Sequence, residues 1–120
     1  QEMKMIGFDL EHNSRIRNAE KLLEKIATAS EIAYIEKFKN KLEKVASLWV
    51  VKEATFKALD ISAGEISYKE IELHHKESGK PFLKLSGKAE EILKKKGGKE
   101  VEISLSHSLD LVGAVAIVVF

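Results

Sequence analysis

The tract that ends the chain, residues 111–120, contains no charged side chain and no polar one. Its apolar residues occupy both alternating sets of positions, so a β-strand formed here presents apolar side chains on both faces. Strands of this kind are covered on both sides in folded proteins. The tract has about half the length that a membrane-spanning helix requires. We therefore predict a strand buried on both faces, with an oligomer interface as a candidate for the second cover.

The bulk composition is that of one compact domain, residues 1–120, with an apolar fraction of 44% to form a core. The formal charge of +1 argues neither for nor against nucleic-acid binding. Nucleic-acid binders need a basic stripe with exposed aromatic residues, whereas the lysines here are interleaved with glutamates, so we do not expect nucleic acid as a partner. The lack of cysteine excludes thiol catalysis, disulfides and thiolate metal sites. We see no signal peptide and no membrane segment, and we expect a cytoplasmic protein.

Apolar periodicity and turn signals predict the element order β-α-α-α-β-β-α-β-β. The predicted strands are residues 3–8, 66–73 (alternating over 66–68 and 71–73), 82–85, 101–106 and 111–120. The predicted helices are residues 13–29, 31–39 (capped by Ser30), 41–59 and a helix that runs from Ser86 into the lysines at 94–96. Since the helices do not alternate regularly with the strands, we predict an α+β fold with a largely antiparallel sheet packed with a long helix.

The long helix carries Glu53 and Lys57 one turn apart, on a row that continues from Ala46 and Trp49. A core-facing row is ordinarily apolar, so these two charges must be paired or bound to a ligand. The simpler interpretation is a salt bridge, because glutamate four residues before lysine is the favoured orientation, with a gain of about 0.3–0.5 kcal/mol. The functional interpretation needs partners elsewhere in the chain.

Asp9 is the first candidate partner, since it stands at the carboxyl end of a short apolar strand, in the segment Gly7-Phe-Asp9. An aspartate at the end of a strand often caps the next turn. Alternatively, it binds Mg²⁺, which prefers one or two carboxylates together with phosphates and water. Both interpretations remain open at this stage.

His107 is the second candidate partner, since it closes a strand row that begins at Val101 and continues through Ile103. It is either a core histidine, or a donor to phosphate and a general acid or base. The histidines do not match zinc motifs, because His107 has no partner at i,i+4 and His74 and His75 are adjacent.

Three segments, in this order, resemble the 4′-phosphopantetheinyl transferases: Gly7-Phe-Asp9, Trp49-Val-Val-Lys-Glu-Ala-Thr-Phe-Lys-Ala58 and Ser104-Leu-Ser-His107. At this length the chain is similar to the small, holo-[acyl-carrier-protein] synthase type. The resemblance runs from about residue 5 to residue 120 and includes Arg15-Ile16 and Gly79-Lys-Pro81. The Lys-Glu-Ala-x-x-Lys-Ala element is its most specific part.

The resemblance implies the 4′-phosphopantetheinyl transferase fold and an enzyme of fatty acid biosynthesis. Such an enzyme moves the 4′-phosphopantetheine group from coenzyme A to a serine of apo-acyl carrier protein, with adenosine 3′,5′-bisphosphate as the second product. The resemblance further implies Mg²⁺ bound by Asp9 and Glu53, phosphate contacts from Lys57, and His107 close by. The resemblance to the small type also implies a homotrimer with active sites between subunits.

The resemblance also indicates which residues bind the two substrates. Candidates for binding coenzyme A are Lys39, Lys41, Lys80 and Pro81. The three lysines are candidates for contacts to its 3′-phosphate. Acidic carrier proteins require a basic docking surface, for which Arg15 and Lys25 are candidates. In the implied chemistry the serine oxygen attacks the β-phosphate of coenzyme A while Mg²⁺ and Lys57 offset the charge. The serine proton goes either to a metal-bound water or to a carboxylate such as Glu53.

The chain departs from the family pattern at two places. Many relatives have Arg-Phe where this chain has Leu48-Trp49, and many have Gly-x-Gly where the loop at residues 60–64 has one glycine. Both changes affect contacts to coenzyme A and leave the two carboxylates intact. The alternatives are the same transfer to a polyketide or peptide synthase carrier, and a non-catalytic module that binds coenzyme A or a carrier protein.

Overall fold

The computed structural model of the chain describes residues 5–120. Its strands are β1 (Ile6–His12), β2 (Ile71–His75), β3 (Pro81–Leu85), β4 (Glu100–Ser108) and β5 (Leu111–Val119). Its α-helices are α1 (Ala19–Ile26), α2 (Ala29–Ile35), α3 (Lys41–Leu59) and α4 (Gly87–Lys95). Two 3₁₀ turns, Asn13–Arg15 and Tyr68–Glu70, precede α1 and β2. The predicted α+β class and the order of strands and α-helices are confirmed.

The strands form two antiparallel sheets, one with the order β1-β5-β4 and the other made of β2 and β3. Helix α3 packs against one face of the three-stranded sheet, and α1 and α2 contact α3 as well. The middle of α3 is consequently buried nearly all round, as its apolar composition requires. The predicted antiparallel sheet with a long helix is confirmed, except that the strands are divided between two sheets.

Within residues 5–120, strand β5 is buried on one face only. Its inner face against α3 is fully buried and consists of Val112, Ala114, Ala116 and Val118. On the outer face Ile117 is 46% exposed. Within residues 5–120 no layer covers the outer face, so burial on both sides stays a prediction that depends on the oligomer interface.

Strand β1 is longer than predicted, and Asp9 lies in its middle rather than at its carboxyl end. The predicted start at Met3 lies outside the described residues. Pairing with β5 continues to His12, which lies opposite Leu111, the first residue of the partner strand. Alternation along β1 turns Asp9 toward α3, whereas Phe8 on the opposite face is 57% exposed.

The helix predicted over residues 13–29 is confirmed only over Ala19–Ile26. A 3₁₀ turn comes first, and α1 begins only after Asn18, whose side chain accepts a 3.1 Å hydrogen bond from the Lys21 backbone N–H. Asn18 caps the helix in place of the predicted Asn13 or Ser14. The capping side chain sets where the helix begins. Arg15 and Arg17 therefore precede α1 and do not lie on it.

Two further boundaries differ from the prediction. Helix α2 is capped by Thr28, not Ser30, because Thr28 and Glu31 form a reciprocal capping box. Of the strand predicted over residues 66–73, the first half is not a strand. A second capping box, between Ser67 and Glu70, bends that part into the 3₁₀ turn.

Gly7 explains how β1 approaches α3 so closely. A Cβ atom at this position would lie 2.5 Å from the backbone nitrogen of Ala58 and 2.9 Å from Cβ of Lys57, and it would overlap the carbonyl oxygen of Ala54. Helix backbone cannot yield as a flexible side chain can. The glycine therefore allows the contact between β1 and α3 that brings Asp9 to the helix.

We expect Gly7→Ala to lower the free energy of unfolding by about 1–3 kcal/mol or more, because the strand must move away from the helix. Urea denaturation measures this loss. Gly113→Ala is the matched control, since a Cβ there meets only side-chain carbons of Leu10 and Phe8, at 3.4 Å or more. Equal stability losses in the two variants would contradict the role of the close contact at Gly7.

Within residues 5–120 there is no helix that combines the length and the apolar character needed to cross a membrane.

Candidate active site

Asp9 and Lys57 are in direct contact, although 48 positions separate them in the sequence. The Lys57 ammonium lies 3.0 Å from Oδ1 of Asp9 and donates a second hydrogen bond, also of 3.0 Å, to the carbonyl oxygen of Phe8. The Lys57 side chain is 54% exposed and that of Asp9 is 16% exposed. The pair thus presents an accessible ammonium beside a largely covered carboxylate, an arrangement that can receive a phosphate.

Glu53 is bound to Tyr68 and not to Lys57. Its Oε2 atom accepts a 2.8 Å hydrogen bond from the Tyr68 hydroxyl. Within the described chain no salt bridge joins Glu53 to Lys57, so the simple i,i+4 interpretation is wrong. The reason is that β1 offers Lys57 a carboxylate and a carbonyl oxygen at once, while Tyr68 offers Glu53 a neutral donor.

Burial, followed by the hydrogen bond to Glu53 and the charge of that carboxylate, raises the pKa of Tyr68 to about 12. The Tyr68 hydroxyl is therefore protonated at neutral pH and acts as a hydrogen-bond donor.

Lys52, the neighbour of Glu53, is fully buried. Its ammonium donates to Oε1 of Glu31 at 2.8 Å, to the Tyr68 carbonyl at 2.9 Å and to the Ile26 carbonyl at 2.5 Å. Burial lowers the pKa of Lys52 from its ordinary value, and the Glu31 carboxylate opposes that shift. Three acceptors match the three N–H donors of a charged lysine, so the geometry fits the ammonium form.

His107 pairs with Ser47 on the first half of α3. Nε2 of His107 lies 2.7 Å from Oγ of Ser47, and the Ser47 hydroxyl donates its proton to the Glu43 carbonyl at 2.8 Å. A hydroxyl has one proton to donate, so the hydrogen bond from Ser47 to the Glu43 carbonyl is compatible with a tautomer of His107 in which Nε2 donates to Oγ. His107 is exposed, which makes the core-histidine interpretation wrong.

A cavity of about 340 Å³ lies between α3, the β2–β3 sheet and β4. Among the predicted site residues it is lined by His107, Lys80 and Pro81. Lys44 and His75 add further basic groups, and the Tyr34 ring stacks on His75 with a centroid distance of 4.1 Å. Burial, followed by the charge of Lys44 and of His74, lowers the pKa of His75. The cavity is basic on balance and lined by aromatic rings, which suits a nucleotide with phosphates.

The Asp9–Lys57 pair and His107 contact α3 at different points along its length. Ser47, which binds His107, and Lys57, which binds Asp9, are ten positions apart, a rise of about 15 Å along the helix. Within one chain, His107 therefore does not reach the Asp9–Lys57 pair. A site that uses all four predicted residues requires either a long ligand or a second subunit.

The remaining predicted residues lie on the surface. Lys39 is exposed, and Lys41 forms an exposed salt bridge of 2.9 Å with Glu36. Neither lysine lines the cavity. Arg15 and Lys25 are both exposed, and the Lys25 ammonium lies 5.8 Å from the centre of the Tyr68 ring. This cation–π contact places Lys25 next to the partner of Glu53.

The side chains of Asp9 and Glu53 suit Mg²⁺ by their chemistry. Within residues 5–120 there is no cluster of three or more potential metal-ligating side chains. Mg²⁺ does not need one, because it is usually bound by one or two carboxylates together with phosphates and water. In the described part of the chain, Oδ2 of Asp9 and Oε1 of Glu53 accept no hydrogen bond, since the contacts of both carboxylates use the other oxygen.

Some residues at the site were missed by sequence reasoning. Tyr68 and Ser47 contact Glu53 and His107, but nothing in the local pattern singles out a tyrosine in an alternating segment or a serine in a helix. For Lys52 there was a signal, since a lysine at the centre of an apolar helix needs buried partners. Those partners come from distant segments.

Comparison with known proteins supports the same chemistry. The family model described as 4′-phosphopantetheinyl transferase superfamily matches residues 5–112. The holo-[acyl-carrier-protein] synthase of Clostridium acetobutylicum is 35% identical over 119 residues, which is 96% of each chain. The structure of holo-[acyl-carrier-protein] synthase from Neisseria meningitidis has a TM-score of 0.85 at 26% identity and covers 95% of this chain and 96% of its own.

A further solved structure is that of a holo-(acyl-carrier-protein) synthase from Bacillus anthracis in complex with CoA (3′,5′-ADP). It has a TM-score of 0.81 at 30% identity and covers 98% of this chain and 97% of its own. Fold, sequence and motif residues thus agree over nearly the whole length of the chain. The chain belongs to the 4′-phosphopantetheinyl transferase superfamily.

Proposed function

We propose that this chain is a holo-[acyl-carrier-protein] synthase, formed by a single phosphopantetheinyl transferase domain over residues 1–120. It transfers the 4′-phosphopantetheine group of coenzyme A to a serine of apo-acyl carrier protein. The observation that carries the proposal is the contact between Asp9 and Lys57, in which two motif segments 48 positions apart in the sequence meet at 3.0 Å. The ammonium of this pair is 54% exposed, so a phosphate can reach it.

Lys57 is the residue proposed to contact the phosphate that is transferred to the carrier serine. Its ammonium is held in place by Asp9 and by the Phe8 carbonyl, so it needs little reorganisation when negative charge develops on the phosphate oxygens. Phosphoryl transfer depends largely on such positioning and charge stabilisation. Lys57 therefore stabilises the transition state in which the carrier serine attacks and adenosine 3′,5′-bisphosphate leaves.

Asp9 and Glu53 are the residues that would hold Mg²⁺, each with the oxygen that accepts no hydrogen bond in the described chain. When bound, the ion supplies Lewis-acid stabilisation to the phosphate oxygens. Glu53 is one candidate for the base that takes the serine proton.

The basic cavity is the proposed site for the nucleotide portion of coenzyme A. His107, Lys80 and Pro81 line it, while Lys39 and Lys41 lie outside its lining and are proposed as contacts only for the exposed 3′-phosphate. The distance of about 15 Å between the two positions on α3 suggests that the cavity of one subunit faces the Asp9–Lys57 pair of another.

We propose a homotrimer with sites between subunits, and the outer face of the three-stranded sheet supports it. On that face β1 and β5 expose a row of large apolar side chains, namely Ile6 (64%), Phe8 (57%), Leu10 (54%) and Ile117 (46%). Apolar patches of this kind on a small protein mark interaction surfaces. The mass of the particle in solution, from light scattering, distinguishes a trimer from other states.

The carrier protein is proposed to dock on the segment between β1 and α1. Arg15 is exposed on this segment and Lys25 is exposed on α1 itself, and the contact of Lys25 with the Tyr68 ring places this part of the basic surface beside Glu53. A serine delivered here reaches the carboxylate that is its proposed base. Fatty acid biosynthesis in the cytoplasm is the proposed setting, and the absence of cysteine is compatible with that compartment.

The test is a mass measurement on the carrier. Purified protein, coenzyme A, Mg²⁺ and apo-acyl carrier protein are mixed, and we expect the carrier to gain the mass of one phosphopantetheine. A known transferase acting on the same carrier is the control. If the control modifies the carrier and this protein does not, the alternative of a non-catalytic binding module gains support. Omission of Mg²⁺ is expected to abolish the transfer.

A further inference from the structure

Tyr68 is the one residue that donates a hydrogen bond to the Glu53 carboxylate within residues 5–120. Its hydroxyl lies 2.8 Å from Oε2, and Oε1 accepts no hydrogen bond in that part of the chain. A glutamate side chain has three rotatable bonds, so a carboxylate without a partner samples many orientations. The Tyr68 hydroxyl selects one of them.

Tyr68 is itself held from several directions by one face of α3. Its carbonyl oxygen accepts a 2.9 Å hydrogen bond from the buried Lys52 ammonium. Its ring stacks on Phe56 with a centroid distance of 4.6 Å and contacts Trp49 at 5.6 Å. Trp49, Lys52, Glu53 and Phe56 follow the i, i+3, i+4, i+7 spacing of a single helix face. The residue that binds Glu53 is therefore fixed by the same face of the helix that carries Glu53.

We propose that Tyr68 is a positioning residue that orients Glu53 for metal binding. It acts through Oε2 of Glu53 and leaves Oε1 for the ion, and it touches neither the ion nor the substrates. Hydrogen bonds to a metal-ligating side chain commonly change metal affinity or activity by about 10–100-fold when they are removed. The inference rests on the proposed function, because it assigns Tyr68 a role at the same carboxylate.

The test variant is Tyr68→Phe, which keeps the ring, its stacking on Phe56 and the backbone carbonyl but removes the hydroxyl. Binding of Mn²⁺ to the complex with coenzyme A is titrated by electron paramagnetic resonance without carrier protein, so that no turnover is needed. We expect the Mn²⁺ affinity of Tyr68→Phe to fall about tenfold. The KM for apo-carrier protein is expected to stay within about twofold of wild type, since Tyr68 is buried and the variant keeps the ring that Lys25 contacts.

A double variant separates positioning from a purely structural role. If Tyr68 acts through Glu53, Tyr68→Phe in a Glu53→Gln background lowers metal affinity no further than Glu53→Gln alone. A Tyr68→Phe protein that is less stable but binds Mn²⁺ as wild type does would overturn the inference. So would additive losses in the double variant. Failure of wild type to modify the carrier refutes the proposed function instead, so the two failures are distinguishable.

Discussion

Glu53→Gln should reduce the rate of phosphopantetheine transfer by about 10³-fold, because it removes the charge of a proposed Mg²⁺ ligand while keeping its shape. Loss of a metal contact worth several kcal/mol in the transition state corresponds to a rate loss of that size. The fold should persist, since a glutamine oxygen still accepts the hydrogen bond from the Tyr68 hydroxyl. The measurement is the initial rate of holo-carrier formation at saturating coenzyme A, followed by mass spectrometry.

The matched control for this variant is Glu91→Gln, which removes the same charge from an exposed position on α4. It should retain the wild-type rate. Circular dichroism of Glu53→Gln establishes whether the protein is folded. A folded Glu53→Gln protein with full activity would exclude Glu53 both as a metal ligand and as a base.

Lys52→Met should lower the free energy of unfolding by about 3–5 kcal/mol, because it leaves the Glu31 carboxylate buried without its charged partner. Glu31 is 3% exposed, and the Lys52 ammonium also satisfies the Ile26 and Tyr68 carbonyl oxygens. The loss is a large share of the total stability of about 5–15 kcal/mol that single domains have. Urea denaturation at one fixed protein concentration measures it, since assembly makes stability depend on concentration.

Two variants test the cause of that loss. Lys95→Met removes a lysine from an exposed position of α4 and should change stability by less than about 0.5 kcal/mol. The double variant Glu31→Gln/Lys52→Met should be more stable than the sum of the single losses predicts, because it buries no unpaired charge. Strict additivity would mean that the buried pair contributes nothing beyond side-chain packing.

The family and the helix over residues 41–59 could be predicted from the sequence, and both are confirmed. Helical spacing, turn residues and the order of motifs can be read along the chain, so they can be recognised without knowledge of long-range contacts. Boundaries that depend on competing local caps were predicted less well. Asn18 and Thr28 set the starts of α1 and α2, and in both cases a neighbouring polar residue was an equally good candidate in the sequence alone.

The partners of the charged residues could not be predicted, because the partner of a charged side chain depends on which residues of other segments pack against it. The favoured spacing of Glu53 and Lys57 predicts a salt bridge, yet Lys57 binds Asp9 on β1 and Glu53 binds Tyr68. The close approach at Gly7 creates the first contact, and the 3₁₀ turn at Tyr68–Glu70 creates the second. Neither approach has a signature in the spacing along α3.

The sequence by itself thus determined which superfamily the chain belongs to, which secondary-structure elements follow one another, and which charged residues stand in motif positions. These properties depend on residues close together along the chain or on the order of short motifs. Only the tertiary structure decided that Asp9 meets Lys57, that Lys52 is buried against Glu31, and that residues 5–120 leave the outer face of β5 uncovered. Each of these depends on distances between segments far apart in sequence, and those distances follow from packing β1, β5 and the 3₁₀ turn against one helix.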